Sequence, residues 1–114
     1  MKNIHIFAAI AAILALSASS LAYSQTKTDT TISGHVTDAK TGEHLPYITI
    51  LLKGTNIGTQ TSASGHYTLR NLPVGKFEIV ATSIGYKESS QIIDLKRGES
   101  YEANFLLEEG NLAI

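Results

Sequence analysis

The chain has 114 residues, 9 of them basic and 10 acidic, with no cysteine and no tryptophan. So even a balance offers no basic stripe for nucleic acid or for an anionic membrane surface. The lack of cysteine excludes a disulfide framework, a thiolate metal site and lipid attachment at a cysteine, so any folded domain must be held by its packed core alone.

The N-terminus reads as a secretory signal. Lys2 is followed by the apolar run Ile6–Leu16 and then by the small residues Ser17, Ala18, Ser19 and Ser20. Two cuts satisfy a small-x-small rule: Ala22 and Ser24 before Gln25, or Ser20 and Ala22 before Tyr23. The cut before Gln25 is preferred because it leaves a polar start. The run is too short for a bilayer span, which needs about 20 residues. The predicted division is a signal peptide over residues 1–24, a polar linker over 25–30, a β-sandwich over 31–108 and a C-terminal tail over 109–114. The mature part, about 90 residues, suffices for one domain and not two.

Seven runs with a period of two follow in order: Thr31–Asp38, Tyr47–Lys53, Gly58–Ser62, His66–Arg70, Lys76–Ile84, Glu88–Leu95 and Ser100–Leu107. Such alternation puts one face of each strand in a core and the other in water. In the first run Ile32, Gly34 and Val36 share a face. In the second, Ile48, Ile50 and Leu52 do, and Leu51 opposite suggests cover on both sides. Gly58–Ser62, short and Thr-rich, reads as an edge strand. In the last run Tyr101, Ala103, Phe105 and Leu107 point inward. No helical periodicity survives for three turns. The predicted fold is all-β, a seven-stranded antiparallel β-sandwich of two stacked sheets.

Turn chemistry separates the runs. Asp38-Ala39-Lys40-Thr41-Gly42 suits a tight turn in which the Asp38 carboxylate accepts backbone N–H groups. Leu45-Pro46 starts the second strand extended. Lys53–Asn56, Ser62–Gly65 and Lys96–Glu99 close hairpins, and Asn71–Gly75 is a longer connection.

Catalytic and metal-binding patterns are weak. His35 and His66 fall on outward faces and His44 lies in a turn beside Glu43, without ligand spacing, so all three read as solvated surface histidines. No serine stands in a nucleophile-elbow context. The acidic pairs Asp38/Glu43 and Glu108/Glu109 read as turn and terminus chemistry, since calcium wants about six to eight oxygens. The aromatics Tyr47, Tyr67, Phe77, Tyr86, Tyr101 and Phe105 read mainly as core, with the Tyr86 hydroxyl bonded to backbone at its turn. No catalytic, cofactor-binding or metal-binding residue is predicted.

Taken in order, Gly34-His35-Val36-Thr37-Asp38, Thr41-Gly42-Glu43-His44-Leu45-Pro46, Ile50–Thr55, Gly58–Thr61, Gly65-His66-Tyr67-Thr68-Leu69, Leu72-Pro73-Val74-Gly75 and Ile84-Gly85-Tyr86 resemble the carboxypeptidase-regulatory-like domain. The resemblance covers Thr31 to Leu107 and implies a transthyretin-like sandwich. It is similar in particular to the copy at the N-terminus of TonB-dependent outer-membrane receptors of Bacteroidetes-type bacteria, including those that import glycans. Ser62 stands where that family often has Asp, and can make the same turn bond more weakly. The resemblance implies a non-catalytic accessory domain at the periplasmic face of the outer membrane. Its partners would be a receptor plug and barrel and a TonB-type energising protein. The chain stops near where the hydrophobic box that engages TonB would begin, and is read as the N-terminal piece of such a receptor. The other reading is a free-standing periplasmic or secreted module that binds glycan or protein. The mass of the exported protein is expected to correspond to a chain starting at Gln25; a mass retaining Met1 would refute the cleavable signal.

Overall fold

A computed structural model describes residues 27–110, so the predicted signal peptide, its cleavage sites and residues 111–114 lie outside the described residues. Regular structure among the described residues is entirely β. The strands are β1 (Thr31–Asp38), β2 (Thr49–Leu52), β3 (Gly58–Gln60), β4 (His66–Leu69), β5 (Gly75–Thr82), β6 (Ser89–Leu95), β7 (Ser100–Glu102) and β8 (Phe105–Leu107). One sheet has the order β4-β1-β7, with β8 also on β1; the other has the order β3-β2-β5-β6. The all-β, two-sheet architecture expected from the alternation is the one observed.

The core lies between the sheets. Ile32 and Val36 of β1, Ile50 and Leu52 of β2, Leu69 of β4, Ile79 and Ala81 of β5, Leu95 of β6 and Phe105 and Leu107 of β8 are buried there. Burying each large aliphatic side chain contributes about 1.5–3 kcal/mol, and no disulfide supplements it. Leu51, by contrast, is 39% exposed. β2 is therefore covered on one side only, against the expectation of two.

The last predicted strand divides in two, and β1 pairs with both halves in parallel rather than antiparallel. The reason is local. Tyr67 is buried and donates its hydroxyl hydrogen bond to the Ala103 carbonyl. Ala103 N–H still donates to Ser33 O at 2.9 Å. The next N–H on β1, that of His35, is met by the Asn104 side-chain oxygen at 3.0 Å instead of a backbone carbonyl. The register continues unshifted on either side, Ser33 opposite Glu102 and Val36 opposite Phe105. The strand is interrupted without being bulged. Gly34 permits this approach, because a Cβ there would lie 1.9 Å from Ala103 O.

The flanking segments are bonded to the sandwich. Thr30 is fully buried, and its hydroxyl donates to Lys96 O at 2.9 Å and accepts from Gly98 N–H at 3.1 Å. The Thr28 hydroxyl donates to Leu72 O at 2.6 Å. Residues 27–30 thus belong to the fold and do not act as a free linker. At the other end Glu109 bridges to Tyr86, and Gly110 N–H donates to Gly85 O at 2.9 Å.

Gly34→Ala is expected to destabilise the domain by about 3 kcal/mol or more, since the methyl group meets backbone that cannot yield. Tyr67→Phe leaves a buried carbonyl without its donor and should cost about 1–3 kcal/mol. Urea unfolding monitored by circular dichroism measures both, and a Gly34→Ala midpoint equal to wild type would refute the close approach.

Candidate functional site

Two surface features stand out from the ordinary polar exterior. The first is on the outer face of the β4-β1-β7 sheet. His35 and His66 are directly opposed in the antiparallel β1–β4 register. Beyond Asp38 the chain turns and runs back along β1, where His44 bridges Thr37. Residues 35 and 37 point to the same side of a strand, so His44 comes to the face that His35 and His66 occupy. Ring centroids are 5.2 Å apart for His35–His44, 5.7 Å for His35–His66 and 5.2 Å for His44–His66. The sequence reading treated these three as separate surface residues; the structure brings them together. The alternation did signal that His35 and His66 face outward, but nothing in the sequence paired β1 with β4.

Gly65 makes room for the cluster. Its φ is +81°, and a Cβ would come within 2.8 Å of the His44 Cβ and 3.1 Å of Leu45 N. The His44 Nδ1 lies 3.0 Å from Ser64 O. A carbonyl only accepts, so Nδ1 carries the proton and Nε2 is left free. The His66 Nδ1 is 3.3 Å from the Ser64 hydroxyl, which in turn is 2.9 Å from the Ser62 hydroxyl. This serine–histidine contact does not extend to a triad through Asp38. That carboxylate accepts from Lys40 N–H at 2.8 Å and Thr41 N–H at 3.0 Å, as the turn chemistry predicted, and from the Tyr86 hydroxyl at 2.9 Å. Tyr86 therefore bonds a side chain and not backbone, correcting the sequence reading. These bonds, from Thr41 N–H first and then Tyr86 and Lys40, hold the Asp38 carboxyl below its ordinary value of 3.8. The same bond to Asp38 raises the Tyr86 hydroxyl.

The second feature is an open groove of about 430 Å³ on the other sheet, lined by Tyr47, Thr49, Gln60, Thr82, Ser83 and Ile84. Thr49 of β2 pairs with Gln60 of β3 on one side and Thr82 of β5 on the other. The three form a polar row across the sheet. Tyr47 and Ile84 flank it, 64% and 92% exposed. The alternation puts Tyr47 opposite Ile48, Ile50 and Leu52, and it is exposed, so the reading of the aromatics as mainly core does not extend to it. Its φ is +59°, a left-handed conformation that costs a bulky residue about 1–2 kcal/mol. The position is imposed by its neighbours. Tyr47 N–H donates to Thr61 O at 3.0 Å, while the buried Thr61 hydroxyl accepts from Ile48 N–H and donates to Leu45 O, each at 2.8 Å. With Thr61 holding both sides, the Tyr47 side chain is turned out to solvent.

The family profile of the CarboxypepD_reg-like domain matches residues 32–114. The chain belongs to this family. A search of curated proteins finds no match. Among solved structures, this CarboxypepD_reg-like domain is similar to the 5-hydroxyisourate hydrolase of Klebsiella pneumoniae, at TM-score 0.54 and 22% identity over 72% of this chain and 92% of that one. It is also similar to a chain of a type II cohesin–X-dockerin complex from Acetivibrio cellulolyticus, at TM-score 0.55 and 19% identity over 75% of this chain and 61% of that one. A proposed carbohydrate-binding protein from Bacteroides uniformis matches at TM-score 0.51 and 16% identity, over 69% of this chain and 41% of that one. At such identities the likeness is one of fold, and the fold is the transthyretin-like sandwich that the motifs implied.

Asp38→Asn removes a carboxylate that is stabilised when ionised. Because the folded pKa is lowered, the stabilisation is fully present above the unfolded value of 3.8 and is lost as pH falls through the lower folded value. The variant is expected to unfold at lower urea than wild type at neutral pH, with the gap closing on acidification below 3.8; a gap constant with pH would contradict this.

Proposed function

We propose that this domain is a non-catalytic docking module of an exported protein, and that the Tyr47–Ile84 groove beside the β3 edge is its working surface. The observation that carries the reading is the backbone of Tyr47. A strained, outward-turned tyrosine contributes nothing to the core, and strain of this kind concentrates at functional sites. Ile84, almost fully exposed, adds an aliphatic side chain beside the Tyr47 ring in the same groove. β3 closes the sheet with a three-residue strand, an edge able to accept a strand from a partner.

The biological setting in this proposal is the one the sequence implied: the periplasmic face of an outer membrane, as an accessory domain of a TonB-dependent uptake receptor. Its partners there are the receptor's plug and barrel and a TonB-type energising protein. Family membership supports the non-catalytic part, as does the commitment of Asp38 to turn and tyrosine bonds. The hydrolase among the similar structures does not weigh against it, because fold alone does not carry activity. The reading frame beyond the codon for Ile114 tests the setting: a plug-and-barrel frame supports it, and an immediate stop counts against it.

A second reading, glycan binding, is favoured by one observation. The row Gln60–Thr49–Thr82 sets amide and hydroxyl groups beside an exposed tyrosine ring, a combination suited to a hydroxyl-rich ligand. A glycan array separates it from protein docking.

Tyr47→Gly should leave stability within about 1 kcal/mol of wild type, because relief of the left-handed strain offsets the added chain entropy. The same substitution, or Ile84→Ser, is expected to weaken binding to the receptor's plug and barrel by tenfold or more, equivalent to about 1.4 kcal/mol. Surface plasmon resonance with the wild-type chain as reference measures this; unaltered binding in both variants removes the groove from the interface.

A further inference from the structure

We propose that His35, His44 and His66 form a binding site for one zinc-type divalent transition-metal ion on the outer face of the β4-β1-β7 sheet. The site is on the opposite sheet from the docking groove and does not depend on it.

The spacing is the first argument. Three imidazoles bound tetrahedrally through nitrogen at about 2.0–2.1 Å from one ion have ring centroids roughly 5 Å apart. The three measured separations are 5.2, 5.7 and 5.2 Å. The backbone that sets them is well determined by pairing: His35 faces His66 across β1 and β4, and His44 is tied to Thr37 two residues along β1. His35 and His66 are therefore anchored on paired strands, and His44 on a single β-bridge to β1.

The second argument is the hydrogen bonding behind the rings. Metal-ligating histidines commonly donate their other ring N–H to a carbonyl, which fixes the tautomer and the ring orientation. His44 does this through Nδ1 to Ser64 O, leaving Nε2 free for a ligand. The His66 Nδ1 contacts the hydroxyl of the same Ser64. Ser64 thus holds the His44 ring from behind.

Among the described residues no group of three or more His, Cys, Asp or Glu side chains is placed to hold a metal ion as the rings stand. The His35 and His44 rings are stacked, 20° from parallel. Metal binding therefore requires ring rotation. Ser64 holds the His44 ring, so the rotation falls on His35 and His66; the second histidine torsion is broad and imposes little cost, and the exposed His66 turns by giving up its 3.3 Å contact with the Ser64 hydroxyl. His35 and His66 also border a shallow groove of about 310 Å³ with Ser33, Thr68 and Glu102. That groove gives a fourth ligand, water or a group from a partner, a place to approach. Three neutral nitrogens with no carboxylate between them suit zinc, copper or nickel and not the oxygen-seeking calcium or magnesium.

Calorimetric titration of the metal-stripped full chain with zinc sulfate tests the site. The expected result is one ion per chain, with affinity weakened at least about tenfold by each of His35→Ala, His44→Ala and His66→Ala. Since His44 and His66 are exposed, their variants should melt like wild type without metal, so their effect on binding is read in a folded protein. No saturable binding up to about 0.1 mM zinc, equivalent to a binding free energy weaker than about −5.5 kcal/mol, overturns the proposal. So does binding retained by the triple variant, since the ion would then be held elsewhere on the chain. A stoichiometry of half an ion per chain overturns it as well, since the ion would then bridge two copies.

Discussion

The rest of the sandwich depends on how closely β1 can approach its neighbours at Gly34. There the Ala103 carbonyl sits where a side chain would otherwise be, and it is held by the buried Tyr67 hydroxyl from the neighbouring strand β4. Three strands are joined at this point: β4 supplies the tyrosine, β1 the glycine, and the β7–β8 junction the carbonyl. β1 is the central strand of its sheet, so its register with both sides follows from this contact. A polar bond inside a core is specific in a way that apolar contacts are not, because a shift of one residue leaves a donor and an acceptor buried without partners. Among the described residues no buried side-chain polar atom lacks a partner.

The histidine cluster follows from that framework. β1 paired with β4 sets His35 opposite His66, and the turn at Asp38 brings His44 back along the same strand. The second sheet works differently. There Thr61, buried with both its hydroxyl bonds made, holds the chain on either side of Tyr47 and forces the tyrosine outward. One face thus gathers nitrogen donors through strand pairing, and the other displays an aromatic ring through local backbone strain. Neither arrangement is needed for the core to form.

The alternation of Ile32 with Val36, Ile50 with Leu52 and Phe105 with Leu107 was enough to locate the core positions, because a period of two assigns faces regardless of which strand lies alongside. The Asp38 turn was equally legible, its carboxylate bonding N–H groups two and three residues ahead. The break at Ala103-Asn104 was not. Its cause lies in Tyr67 and Gly34, far away in the chain, and the alternating pattern runs through it uninterrupted. The outward side of Tyr47 followed from its place opposite Ile48, Ile50 and Leu52, but its left-handed backbone did not, because the bonds of Thr61 set it.

By itself, then, the sequence determined the all-β class, the core faces, the turns and the family, all of which rest on neighbours within a few residues or on ordered short motifs. Tertiary structure alone decided the parallel pairing of β1 with β7 and β8, the meeting of three histidines and the left-handed backbone of Tyr47. Each of these depends on contacts between distant segments. Local propensity carries no information about such contacts, since strand pairing is chosen by the packing of the whole core.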